Sequence, residues 1–158
     1  MRGGKWEKRL ATIGILYGEI SVVSNTTGTV IAGAGTPVQV TIFDTNGESR
    51  GMTPDHTNDH IVINQDGNYF VAVSATVNSV GGGGSRYEMT VRNKGTAIGA
   101  LHCDRNMAGG GATSGVISMS GHVTLKGSDM IEVWIENETG GEDYLIEDIT
   151  LSIIQVGV

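Results

Sequence analysis

Tyr69-Phe70-Val71-Ala72-Val73-Ser74-Ala75-Thr76-Val77-Asn78, which follows the turn Gln65-Asp66-Gly67-Asn68, decides the fold class. Successive side chains of an extended chain point to opposite faces. Tyr69, Val71, Val73, Ala75 and Val77 therefore share one face, and Phe70, Ala72, Ser74, Thr76 and Asn78 share the other. The first set is apolar throughout and the second is largely small and polar, the pattern of a strand with one side in a core. A helical repeat would scatter both sets around the axis.

The same alternation recurs on either side of this stretch. Tyr87, Met89 and Val91 alternate with Glu88, Thr90 and Arg92, and Asn93-Lys94-Gly95 turns the chain into Ala97 to Cys103, which predicts a hairpin. Beyond a glycine-rich loop from Met107 to Gly115, Ile117, Met119, Gly121, Val123 and Leu125 alternate with Ser118, Ser120, His122, Thr124 and Lys126. Lys126-Gly127-Ser128-Asp129 is the next turn. Ile131, Val133 and Ile135 then alternate with Glu132, Trp134 and Glu136, and Leu145 to Val156 supplies the final strand.

Upstream, Glu19 to Ser24 reads as the first strand, and Val38, Val40 and Ile42 alternate with Gln39, Thr41 and Phe43. In the turn Asp44-Thr45-Asn46-Gly47, Asn-Gly is expected to supply positive φ. Residues 48 to 60 are polar and contain Pro54, and read as a long surface loop leading into the segment His60 to Asn64. Helical periodicity is absent. The fold class is all-β, an antiparallel β-sandwich, with Val71, Val73, Met89, Val123, Val133, Ile135, Leu151 and Ile153 expected in the core. An apolar last strand calls for a place inside a sheet or at a subunit contact, because a free apolar edge invites aggregation.

Composition narrows the functional classes. A chain of 158 residues suits one domain, and its 25 glycines against 2 prolines serve turns rather than a fibrous repeat. Leu10 to Tyr17 is too short and too interrupted by glycine to cross a membrane and makes a poor secretory signal, so the segment reads as unprocessed. The lone Cys103 rules out an internal disulfide and is compatible with a reducing cytoplasm.

Charge is unevenly placed. Arg2, Lys5, Lys8 and Arg9 against Glu7 give residues 1 to 10 a charge of +3, so the remainder carries ten net negative charges toward the chain total of −7. Such a body repels phosphate, which excludes nucleic acid as a general partner. The division is a basic arm at 1–16 and a folded domain at 17–158, with Arg2, Lys5, Trp6, Lys8 and Arg9 as candidate attachment residues: an aromatic anchor among cations suits an acidic or grooved protein surface.

The residues that carry chemistry elsewhere form no site pattern here. His56 and His60, and the triplet His102-Cys103-Asp104, have metal-ligand chemistry without zinc spacing. Glu136, Glu138, Glu142, Asp143, Glu147 and Asp148 crowd one turn and have oxygen ligands of the kind calcium takes, without the spacing of a helix-loop-helix calcium site. The expectation is a solvated acidic rim. Gly81 to Gly84 lacks the lysine and helix of a phosphate cradle, and no nucleophile elbow is present. Asn25-Thr26-Thr27 and Asn137-Glu138-Thr139 match the short glycosylation sequon. No catalytic residue, cofactor or metal is assigned.

Asp66-Gly67-Asn68-Tyr69-Phe70-Val71-Ala72-Val73-Ser74 followed by Tyr87 to Gly95 resembles the C1q/TNF-like jelly rolls. Gly121 to Val133 is similar to the strand pair of that family containing Gly-Asp and Ile-Glu-Val, and Asp148 to Val156 to its terminal strand. Tyr17-Gly18-Glu19-Ile20 and the C-terminal segments resemble small bacteriophage virion proteins of this fold. The resemblance implies a homotrimer around a threefold axis. It further implies a structural role on the virion, assembled in the host cytoplasm: a capsid decoration, or cement, protein that clamps the major capsid protein. The alternative is a receptor- or glycan-binding head of a phage fibre or tail, acting through loops 48–59, 81–86 and 104–115. Membrane and nucleic-acid partners are not expected.

Overall fold

The computed structural model describes residues 14–30, 33–80, 84–108, 114–140 and 142–158. Eleven strands and no helix are present among them: β1 (Tyr17–Val22), β2 (Val38–Gln39), β3 (Thr45–Asn46), β4 (Met52–Asp55), β5 (His60–Ile63), β6 (Gly67–Val80), β7 (Ser85–Asn93), β8 (Thr96–Met107), β9 (Ser114–Leu125), β10 (Met130–Asn137) and β11 (Asp143–Gly157). They form two antiparallel sheets, one ordered β3-β1-β11-β6-β9 and the other β4-β5-β10-β7-β8, with β2 also paired to β10. From β5 onward every connection except the β7–β8 hairpin crosses from one sheet to the other, which is the jelly-roll path.

The alternation on β6 holds. Tyr69, Val71, Val73, Ala75 and Val77 are buried and their alternates face outward. From the opposite sheet, Met89 and Val91 of β7 and Ile131, Val133 and Ile135 of β10 meet Ile149, Leu151 and Ile153 of β11 in one core. Each such aliphatic side chain contributes about 1.5–3 kcal/mol by leaving water. Of the expected core only Val123 is half-buried, because the two layers part between β8 and β9 at that end, leaving an open groove of ≈ 460 Å³ lined by Ala97, Ile98, Val123 and Leu125.

Residues 38–63 depart from expectation. Val38–Gln39 is the only strand in the first apolar run, and Phe43 turns inward beside Val40, its N–H held by Asp59 Oδ1 at 3.1 Å. Asn46-Gly47 makes no positive-φ turn; Thr45–Asn46 is a short strand on the edge of β1. Residues 48 to 60 are not one loop, since β4 and β5 form a hairpin with Met52 buried. Pro54 is tolerated there because β4 lies at the sheet edge and needs no outward N–H. The β7–β8 hairpin turns as the sequence predicts, with Lys94 (φ 50) and Gly95 (φ 78) both left-handed.

The last strand lies between β1 and β6, so both of its edges are paired within the chain. That removes the uncovered-edge argument for a subunit contact at β11. Tyr17, Gly67, Leu125 and Gln155 gather at one end of the sandwich, where the Leu16 carbonyl accepts the Gln155 N–H at 2.8 Å. Gly67 is required here: a Cβ would come within 2.7 Å of the Gly157 carbonyl. Leu16 is buried in the core, so the folded unit reaches at least that far toward the N-terminus.

Candidate functional site

With the core residues turned inward, the alternates of each strand make two outer faces of opposite character. On the β1-β11-β6-β9 sheet the cross-strand register sets out three adjacent rows. Tyr17, Ile154, Phe70 and His122 form the first, with the Phe70 and His122 rings 5.3 Å apart. Glu19, Ser152, Ala72 and Ser120 form the second; Ser21, Thr150, Ser74 and Ser118 form the third. Glu19 is the only acid in these rows, and its carboxylate accepts the Ser152 hydroxyl at 2.7 Å. Beside the first row, Tyr17, Gly18, Ile153 and Ile154 wall a hollow of ≈ 280 Å³ with Glu19 and Glu48 at its rim.

The other outer face is densely charged. Glu136, Glu88 and Asp104 lie opposite one another on β10, β7 and β8; Trp134, Thr90 and His102 form the next row, and Glu132 and Arg92 pair in the one after. Arg92 stacks over the Trp134 ring at 4.8 Å, and the indole N–H donates to Glu132. The carboxylates of Glu88, Glu136 and Glu138 come within 4.8 Å of one another. Desolvation, and then the neighbouring Glu88 and Glu138, push the Glu136 carboxyl above the ordinary range. Arg86 supplies the counter-charge, 2.6 Å from Asp104 and 2.7 Å from Glu138.

The acidic run at 136–148 does not converge on a single centre. Glu142 accepts the Ser85 hydroxyl at 2.7 Å, which lowers its carboxyl; Glu147 accepts from Asn78; and Asp148 accepts the Ser24 N–H. Only Glu136 and Glu138 turn to the cluster with Glu88. Among the histidines, the strand pleat turns Cys103 of β8 toward the core while His102 and Asp104 face outward. In the β4–β5 turn, Asp55 is held by Asn58 and Asp59 by the Phe43 N–H, with burial raising the Asp59 carboxyl, and His60 Nδ1 donates to the Asn58 carbonyl. These side chains are used for local structure.

Both sequon asparagines are occupied in the same way. Asn137 is fully buried, donates to Ser85 Oγ and the Glu142 carbonyl, and accepts from the Thr139 and Gly140 N–H groups. Asn25 donates to the carbonyls of Thr27 and Ile146. Asn137 thus ties the β10–β11 connection to β7 and presents no free amide. Arg2, Lys5, Trp6, Lys8 and Arg9 lie outside the described residues.

The neutral outer face was missed in the sequence. Its signal is present in the small outward residues of β6 and β9, Ala72, Ser74, Ser118 and Ser120, but the register that aligns them with Ser152 and Thr150 of β11 is set by long-range pairing. No helix among the described residues is long and apolar enough to cross a membrane.

No protein family model matches the chain, and a search of curated proteins also returns no match. Solved structures do match. The Eiger TNF of S. frugiperda superposes with a TM-score of 0.60 at 14% identity, over 90% of this chain and 92% of that one. Murine APRIL, crystallised at pH 5.0, superposes with a TM-score of 0.56 at 13% identity, over 89% and 99%. The fold is a TNF-like jelly roll, as the sequence motifs suggested.

Proposed function

We propose that this protein is a non-enzymatic structural component of a bacteriophage virion: a homotrimeric capsid decoration protein that binds the surface of the major capsid shell and stabilises it. The observation that carries the reading is the set of three largely neutral rows on the outer face of the β1-β11-β6-β9 sheet, with Glu19 at their β1 edge and Asp148 in the row beyond. Interface cores are depleted in charge, and copies of a chain with net charge −7 repel except where they meet through neutral surface. A second copy is therefore the occupant that face suits. Attachment falls to the basic arm, whose root at Gly14 and Ile15 lies beside Val156 and Val158 at one end of the sandwich. Ile15 and Val156 are exposed there, which adds apolar surface to the arm's positive charge.

Deleting residues 1–10 tests the attachment role. The truncated protein is expected to keep its oligomeric state and lose co-sedimentation with capsids, and full-length binding should weaken as salt rises. Unchanged capsid affinity and salt dependence would contradict the assignment. Few copies per particle together with binding to a glycan array would instead support the receptor-binding head.

A further inference from the structure

We propose that His122 makes self-association pH-dependent, the assembled form being favoured while its imidazole is neutral. The inference rests on the proposed assembly through the neutral face. His122 ends the row Tyr17-Ile154-Phe70-His122, exposed on β9 with its ring against Phe70. A second copy seated on this row removes the ring from water, and burial disfavours the charged form of an imidazole.

The positions next to His122 on its own and the neighbouring strands offer no counter-charge. On β9 the outward neighbours are Ser120 and Thr124, and on β6 they are Asn68, Phe70 and Ala72. β11 adds Ile154 and Ser152, and the titratable groups on β1 are Tyr17 and Glu19. Glu19 lies three strands away, about 14 Å at ordinary strand spacing. That exceeds the screening length of about 8 Å at physiological salt, and Ser152 already holds the carboxylate. β8 brings Leu101 and the Ala100 carbonyl against Gly121; its His102 and Asp104 face the other outer side, and Arg105 lies by Gly115 and Val116 at the far end of β9. At the end of the strand Lys126 is itself a cation, and Asp66, before β6, gives its carboxylate to the Gly127 N–H at 2.8 Å.

Histidine changes charge between about pH 5 and 8. A trimer that must shed one proton per subunit loses up to about a thousandfold in association constant for each pH unit on the acid side of that transition. Sedimentation equilibrium of the full chain at about pH 7.5 and 5.5 should show at least about a tenfold weakening of association. In His122→Phe, which keeps the stack on Phe70, and in His122→Gln, association should be the same at both pH values. Equal weakening in the variants, or none in the wild type, overturns the inference while leaving the trimer standing. A chain that is monomeric at both pH values overturns the assembly and the inference together.

Discussion

The two outer faces of this sandwich are built over one core and differ only in their outward residues. On the β10-β7-β8 side Glu136, Glu88 and Asp104 sit in a row, balanced in part by Arg86, and Arg92 covers Trp134. On the β11-β6-β9 side the same strand geometry carries Ser152, Ala72 and Ser120, and then Thr150, Ser74 and Ser118. A row of like charges on adjacent strands costs stability unless water or counter-charge surrounds it. A row of small neutral side chains has no such need and lets another surface approach closely. The apolar alternation therefore sets the fold, and the outward alternates separate a face that keeps its water from one that can lose it.

The largest expected effects come from the shared core. Leu151 lies behind the neutral face and Ile135 behind the charged one, both buried. Truncating either to Ala should lower unfolding free energy by about 2–5 kcal/mol. Denaturant titration checks this, and a loss below about half a kcal/mol at either position would mean the strand register is wrong. The two costs should be similar, since the faces differ outside and not beneath.

A smaller effect sharpens the charged side. Burial and the adjacent Glu88 and Glu138 raise the Glu136 carboxyl in the folded state, so the ionised form is the unfavourable one there. The folded state holds this proton more tightly than the unfolded state does, and stability from this group falls as pH rises through the raised value. Glu136→Gln should therefore increase the melting temperature slightly at neutral pH. The gain should fade as pH drops below the ordinary carboxylate range, and added salt should also shrink it.

Legibility in the sequence followed the range of the interactions. β6, β7, β9, β10 and β11 were readable because each carries its own two-residue repeat, and the Lys94-Gly95 turn because positive φ is a local demand. Phe43 was misplaced because the Asp59 carboxylate that captures its N–H is 16 residues away. β4 reads as loop in the sequence because an edge strand tolerates both Pro54 and polar side chains, whereas β5 falls on the segment His60 to Asn64 that follows the polar stretch. The neutral face is the same failure at larger scale. Its members lie on four strands, and only pairings such as Ser21 with Thr150 and Ser74 with Ser118 bring them together. The sequons and the acidic run are equally visible in the sequence and carry no site there, and Asn137, Glu142 and Asp148 spend their polar atoms on the backbone and hydroxyls of their own fold.

Charge inserted on one face at a time tests the central claim most directly. Ser74 is exposed at the middle of the neutral face between Thr150 and Ser118, and His102 is exposed on the charged face beside Thr90. Sedimentation equilibrium should give three times the 16.5 kDa chain mass for the wild type and for His102→Arg, and the single chain mass for Ser74→Arg with its β-sheet circular dichroism retained. A Ser74→Arg protein that remains trimeric, or a His102→Arg protein that dissociates, would contradict the assignment of the neutral face as the surface where copies meet.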